Sequence, residues 1–362
     1  MIRRFAVAVL FLSALPLFAG TPENLVAEGV PDFPPALVER ATPYLEARTA
    51  GFNDWHPTRR EMLISTRFGD TAQLHVVKAP GGARKQLTFF PDRVAGGSFR
   101  PKSGEFIVFS KDVGGGEFFQ LFRFDPSTGD VTLLTDGKSR NTGAVWTESG
   151  KLLAYSSTRR TGRDTDIYAM DPSDPKSDRL VVRVEGGGWG AADWSPDESQ
   201  LLVGQYLSVQ ESHLHLADVK SGALSQLTPK GEKVSYGGGE FSADGKAIFT
   251  TSDRGSEFRR LVRIDVATGR ETLFGPAVNW DVSSYDLSPD GKKLAMVTNE
   301  DGVSVLRVLD ASTGRELPLP KLPAGILGGL EWHENNRDLG FSFSSAKTPS
   351  DAYSIDLGKG TL

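Results

Sequence analysis

Residues 190–228 read GAADWSPDESQLLVGQYLSVQESHLHLADVKSGALSQLT. GAADWSP is strand-like. Pro196-Asp197-Glu198-Ser199 is turn-forming, because Pro presets φ and Asp bonds to nearby backbone. QLLVGQYL is an apolar run of strand length. SHLHLADV alternates with the period of two that a half-buried strand requires. DVKSG at 218–222 ends on Gly, and ALSQLT follows as a fourth short strand. Four strands joined in order by short turns form an antiparallel meander.

The unit recurs along the chain. Its anchor is an aromatic or apolar residue, followed by a polar turn and an apolar run. The instances are Trp55 in DWHPTRREMLIS, Phe99 in SFRPKSGEFIVF, Trp146 in VWTESGKLLAY, Trp194 in DWSPDESQLLV, Phe241 in EFSADGKAIFT, Leu287 in DLSPDGKKLAM and Trp332 in EWHENNRDLGF, with gaps of 44, 47, 48, 47, 46 and 45 residues. A strand-built repeat of this period predicts a β-propeller. The second turn returns as DPSTG (125–129), DVATG (265–269) and DASTG (310–314), and loosely as DLGKG (356–360). The expected fold is therefore all-β: a seven-bladed propeller of four-stranded antiparallel blades over 51–362, with blades near 51–93, 94–140, 141–187, 188–233, 234–279, 280–325 and 326–362.

The last blade is expected to be incomplete. GGLEWH, DLGFSFS and DAYSIDL supply three strands, and the outer one would start near Thr361. An unpaired edge invites association. The lead-in at 21–50 carries Pro22, Pro31, Pro34, Pro35 and Pro43, none with an N–H, so it makes a poor closing strand except near Glu46–Ala50. Blade 7 is expected to be the least stable part.

At 362 residues with 40 Gly, no Cys and 38% hydrophobic content, the chain fits one large repeat domain rather than several. The net charge of −5 argues against nucleic acid as a partner, since binding it needs a basic surface. Arg3 and Arg4 precede an apolar run from Phe5 to Leu17, with small residues at Ala19 and Gly20. This pattern predicts a secretory signal peptide over 1–20. The run is short for a retained spanning anchor, and the residues around the Arg pair support a twin-arginine signal poorly. The expected location is the bacterial periplasm, with no membrane association after cleavage; a cysteine-free exported chain suits that compartment. Within 21–50, ALVERA after Pro34-Pro35 predicts a short helix that Pro43 ends or kinks.

Topology puts the turns between first and second strands, and between third and fourth, on one face of the disc. The opposite face carries RFGDTAQ, KDVGGGEF, STRRTGRDTD and TSDRGSEF, with the inter-blade FFPDRVAGG and EGGGWGA. Variable loops on a rigid scaffold are where binding usually resides. The candidate substrate- or partner-binding residues are therefore Arg67, Asp70, Arg159, Arg160, Asp164, Trp189, Arg254 and Trp280 on the loop face. The arginines either belong to solvated loops or form a docking patch that clamps a carboxylate.

No serine has Gly at both flanking offsets of a G-x-S-x-G elbow, and no strand–helix alternation of a hydrolase domain is present, so no catalytic residue is assigned. His213 and His215 share one strand face, but no third ligand is signalled nearby; no metal or other cofactor is expected. The Gly triplets at 114–116, 186–188 and 237–239 could form anion nests but read better as bends around a channel. Trp55, Trp146, Trp194 and Trp332 hold a fixed place in the repeat, which marks them as packing between blades. A propeller lyase or glycosidase would need converging carboxylates or a metal, which sequence cannot show.

Residues 31–362 resemble the N-terminal propeller of bacterial secreted members of the prolyl oligopeptidase family of serine peptidases. The segments that carry the likeness are PALVERATPYLEAR, LISTRFGDTAQLHVV, RKQLTFFPDRVAGGSF, LSPDGKKLAMVTNEDG, LPAGILGG and SSAKTPSDAYSIDL. Turns of SPDG type also occur in TolB-like propellers. The resemblance implies a propeller that restricts access of peptides to an α/β-hydrolase domain; none of these residues matches that domain. Dipeptidyl members also hold a peptide N-terminus with propeller carboxylates, and no motif places that pair here. Two readings follow: the non-catalytic propeller of a secreted peptidase, whose partners are peptides and a hydrolase domain, or a free-standing TolB-like periplasmic scaffold that binds a partner protein.

Overall fold

The computed structural model describes residues 25–31 and 33–362. The expected signal peptide over 1–20 lies outside the described residues. The chain divides into two units, Met1–Ala47 and Arg48–Leu362. Among the described residues the first holds one helix, Pro35–Leu45, with Pro at its first position, where the missing N–H has no intrahelical partner to lose. Of the two outcomes expected at Pro43, an end or a kink, the helix does not end there; it runs two residues further. Pro43 sits in the last turn, where the lost backbone bond has little helix left to disrupt. Among the described residues no helix is long and apolar enough to cross a membrane.

The second unit is a seven-bladed β-propeller. Six sheets have four antiparallel strands, hydrogen-bonded in chain order from the inner strand outward. The seventh has three: Ile326–Trp332, Asp338–Ser345 and Thr348–Asp356. The other inner strands are Gly51–Trp55, Val94–Phe99, Asn141–Trp146, Trp189–Trp194, Tyr236–Phe241 and Val282–Leu287. Every inner strand thus ends on its repeat anchor.

The turns form for local reasons. Ser195 Oγ donates to Asp197 Oδ1 at 2.6 Å and accepts from Gln200 N at 2.9 Å, so one hydroxyl and one carboxylate close the hairpin. Ser242 with Asp244 and Ser288 with Asp290 repeat the device. The turn needs a left-handed residue, supplied by Gly245 (φ 68°) and Gly291 (φ 65°). In blade 4 Glu198 takes a left-handed conformation in this turn (φ 58°). At the outer turn Asp310 Oδ1 accepts from Ser312 N and Thr313 N.

Blades pack face to face through apolar side chains of adjacent sheets. One cluster joins Ile167 and Val182 of blade 3 to Trp194, Leu201 and Val203 of blade 4. Trp55, Trp194 and Trp332 are buried, each worth on the order of 3 kcal/mol in area removed from water. The ring closes by packing blade 1 on blade 7. Phe52 N donates to Ser342 Oγ at 2.8 Å and Arg84 pairs with Asp351 at 3.2 Å. Among the described residues, Ala50 N to Ser350 O (2.8 Å) is the single backbone–backbone bond from the lead-in to the last strand. Among the described residues the lead-in adds no fourth strand there.

Candidate functional site: the central channel

The residue just before each anchor points along the channel wall. In order from blade 1 these are Asp54, Ser98, Val145, Asp193, Glu240, Asp286 and Glu331. Five are acidic, and they occupy five consecutive blades around the ring, from blade 4 through blade 7 to blade 1.

Four of the five acids reach the next blade. Asp54 Oδ2 accepts from Phe99 N at 2.6 Å, and Asp193 Oδ2 from Phe241 N at 2.6 Å. Glu240 Oε2 accepts from Leu287 N and Asp286 Oδ2 from Trp332 N, both at 2.8 Å. The anchors reach back: Trp332 Nε1 donates to Asp286 O at 3.0 Å, Trp194 Nε1 to Val145 O at 3.1 Å, and Trp55 Nε1 to Glu331 O at 3.2 Å. These bonds clip neighbouring blades. Glu331 differs: among the described residues its carboxylate accepts no hydrogen bond.

Each of these acids keeps some surface open to the channel but is enclosed by protein. Burial, then Glu331, pushes Asp54 well above the usual carboxylate range, against the backbone N–H bonds that lower it. Burial, then Glu331 and Glu240, does the same to Asp286. Burial and Asp193 push Glu240 to about 8; burial and Glu334 push Glu331 to about 7; burial pushes Asp193 to about 6. Like charges this close cannot all ionise, so the ring holds protons near neutral pH.

The pocket at the turn face is a cavity of about 500 Å³. Lys102 stands at its mouth. It donates to Glu148 Oε1 of blade 3 at 3.3 Å and to Glu334 Oε2 of blade 7 at 2.9 Å, so one side chain of blade 2 is tied to the adjacent blade 3 and to blade 7, two places round the ring. Burial alone would lower its pKa, but the two glutamates outweigh this and raise it. Toward the loop face lies a second cavity of about 590 Å³, lined by Gly237, Gly238, Gly239, Tyr236, His213 and Tyr285, and Glu240 borders both cavities. Here His213 lies 3.5 Å from Glu211, and burial with His213 beside it holds His215 down to about 4. Among the described residues no group of His, Cys, Asp and Glu could hold a metal.

The residues singled out on the loop face are mostly engaged within their own blades. Arg159 pairs with Asp178, which also accepts from Tyr155 Oη at 2.9 Å, and its guanidinium lies 3.5 Å from the Tyr168 ring centroid. Arg160 bonds to Asp166 at 2.6 Å, Asp164 at 3.1 Å and Val184 O at 2.8 Å. Asp164 in turn accepts from Gly186 N at 2.8 Å. Trp189 is half-buried, its ring 5.0 Å from His215. Arg254 pairs with Glu232 at 2.8 Å, and Trp280 lies 6.5 Å from the Phe258 ring. Arg67 and Asp70 sit in the loop between the second and third strands of blade 1, Asp70 exposed. Arg160 and Asp164 are brought together, with Trp189 close behind them; the others stand apart. The acids of the channel were not singled out from sequence, although the repeat prints them one position before the anchor in DW, DW, EF, DL and EW.

Residues 93–362 match the family described as "Prolyl oligopeptidase, N-terminal beta-propeller domain". The chain belongs to that family. It is 24% identical over 319 residues to dipeptidyl aminopeptidase BIII of Pseudoxanthomonas mexicana, covering 86% of this chain and 39% of that protein. Among solved structures it is similar to one from an analysis of two prolyl endopeptidases (TM-score 0.72, 18% identity, 90% of this chain and 50% of that one). It is also similar to TolB from Acinetobacter baumannii (TM-score 0.50, 19% identity, 74% and 62%). The chain thus spans half or less of the length of the two peptidases.

Proposed function

We propose that this chain is the non-catalytic propeller of a secreted, periplasmic serine peptidase, and that it gates or recognises peptides for a hydrolase domain outside these residues. The observation that carries the reading is the channel: an acid-walled cavity of about 500 Å³ with Lys102 bound to Glu148 and Glu334 at its mouth. Such a passage admits an extended peptide and excludes a folded protein. Its ring of carboxyl oxygens offers hydrogen-bond acceptors to the ammonium end of a peptide.

The test has two parts. The purified chain should neither hydrolyse chromogenic peptides nor be labelled by a fluorophosphonate, since a serine without an elbow and oxyanion donors is unreactive. Fluorescent peptides with a free N-terminus should bind about tenfold more tightly than their acetylated forms, and Lys102→Ala should speed their entry. Equal binding of both peptides, or specific labelling of a serine, would sink the reading. A second reading is a free-standing TolB-like scaffold that binds a partner protein; it gains weight if amide exchange shows 350–360 as protected as the third strand of blade 4. An adjacent or in-frame hydrolase gene would decide for the first.

A further inference from the structure

In the second strand of each blade, the position three residues beyond the one paired with the anchor borders the next seam. In six blades it carries a side chain: Ser65, Ser110, Ser156, Thr251, Val297 and Ser342. At three seams that side chain meets the next blade. Ser156 Oγ donates to Trp189 O at 3.1 Å, Ser342 Oγ accepts from Phe52 N at 2.8 Å, and Val297 packs with Leu327 and Trp332. In blade 4 the position is Gly204. Nothing in the fold demands a glycine there. Gly204 pairs in register with Leu214, its φ is not left-handed, and an added Cβ would meet only Gly190 O, at 3.9 Å. A glycine inside a strand weakens it and marks a place where another group approaches closely.

The space that Gly204 leaves belongs to the cavity of about 590 Å³ at the seam between blades 4 and 5. Tyr206, exposed two residues further along the strand, and Leu214, opposite Gly204, form one wall. Blade 5 supplies the other wall with Tyr236 and the backbone of 237–239. Tyr285 of blade 6 closes the inner side, its hydroxyl donating to Gly237 O at 3.2 Å. Ala192 and Glu240 line this cavity and the acid-walled one alike, so the two are continuous. No Lys or Arg lines it, and Glu240, pushed up to about 8 by burial and Asp193, is uncharged at neutral pH. The pocket is therefore neutral, walled by tyrosines and open to backbone. Such walls suit a flat ring, which tyrosines hold by offset-stacked or edge-to-face contact.

We propose that this cavity is a side pocket of the channel that takes an aromatic side chain of a peptide, Phe, Tyr or Trp, with its ring between Tyr206 and the backbone of 237–239. The inference rests on the peptide-handling reading above and adds a sequence preference to it. An extended peptide along the channel offers alternate side chains to the same wall, and one of them enters between blades 4 and 5. Acidic side chains are rejected, because the pocket offers them no cation and stands beside Glu240 and Asp193.

The full chain can be titrated with two fluorescent pentapeptides, Ala-Ala-Phe-Ala-Ala and Ala-Ala-Ala-Ala-Ala, each with a free and with an acetylated N-terminus. The Phe peptide should bind about tenfold more tightly than the Ala peptide and should slow amide exchange at 204–206 and 236–240. Gly204→Val fills the pocket with the side chain that blade 6 carries at Val297. It should keep the fold, read by circular dichroism and thermal melting, and bring the two peptides to within about twofold of each other. Tyr206→Ser, at an exposed ring, should cut the Phe advantage about threefold and keeps the test decisive if Gly204→Val is unstable. In both variants the preference for a free N-terminus should persist. Equal binding of the Phe and Ala peptides to the wild-type chain overturns the proposal. So does a Phe advantage undiminished in the folded variants, or protection confined to other segments. A Phe advantage with no preference for the free N-terminus supports the pocket while sinking the acid-channel reading, and failure of every peptide to bind overturns both.

Discussion

The channel has two sectors. At the seams from blade 2 to 3 and from blade 3 to 4, the residue before the anchor is Ser98 or Val145. These seams are held by neutral bonds: Trp146 Nε1 to Ser98 Oγ at 2.9 Å and Trp194 Nε1 to Val145 O at 3.1 Å. At the other five seams an acid stands in that place, and in four of them its carboxylate takes the backbone N–H of the next anchor. Both solutions join blades equally well in outline. The acidic one adds a cost, because five carboxyls share one enclosed space with Lys102 as the sole cation along this cavity. A seam that needed only strength could use the neutral form throughout. The acidic sector is therefore where the molecule carries something beyond stability: a reservoir of protons facing the passage.

The largest expected effect removes an anchor. Trp332→Ala deletes a buried ring and its bond to Asp286 and should cost about 3–5 kcal/mol in urea unfolding. Trp146→Ala, at the half-buried anchor of the neutral sector, should cost less. Equal losses would mean that the sectors do not differ in packing.

The clip comes next. Asp286→Ala leaves Trp332 N–H without its acceptor and should cost about 1–3 kcal/mol, whereas Ser98→Ala, which removes a single indole bond, should cost about 1 kcal/mol. Asp286→Asn keeps an acceptor oxygen and no charge, and should recover most of the loss. If Asp286→Asn is as damaging as Asp286→Ala, ionisation rather than acceptance holds that seam.

The pH dependence sharpens the contrast further. The folded pKa values of Asp193, Glu331 and Glu240, about 6, 7 and 8, stand above their unfolded values near 4. Folding takes up protons there, so this contribution is fully present below about pH 4 and is lost as pH rises through about 6–8. The turn aspartates run the other way. Asp310, lowered to about 2 by its hydroxyl and backbone donors, contributes stability that is lost as pH falls below about 4. Maximum stability is expected between these windows, in mildly acidic solution. Glu331→Gln should flatten the alkaline limb in thermal scans from pH 5 to 9, and Ser98→Ala should leave its shape unchanged.

The smallest effect is at the mouth. Lys102→Ala breaks partly exposed ion pairs and should change stability by less than about 1 kcal/mol, so any larger change would make Lys102 a structural tie.

The repeat made the architecture legible. All seven anchors end inner strands, and the missing outer strand of blade 7 could be read from where DAYSIDL falls in the period. The reason is that strand alternation and turn chemistry are local, so a single sequence prints them. The channel was printed too, one letter before each anchor, but an acid beside an aromatic in a strand reads as a solvated face. Only closure of the ring turns five such faces toward one space. The loop arginines show the opposite limit. Arg159 is paired with Asp178, which lies on the long outer strand Asp174–Val182 of the same blade. Without that strand's register, the pair looks like unspent charge on a loop.

Everything that sets the acidic sector apart follows from its keeping protons at neutral pH. Isotope-edited infrared spectroscopy of the carboxyl C=O stretch, followed from pH 4 to 9 in the wild-type chain and in Glu331→Gln and Glu240→Gln, reads it directly. A protonated carboxyl signal that persists at pH 6.5, fades between about 6 and 8 as Asp193, Glu331 and Glu240 titrate, and weakens in each variant is the expected result. Complete loss of that signal below pH 5 in the folded protein would contradict it.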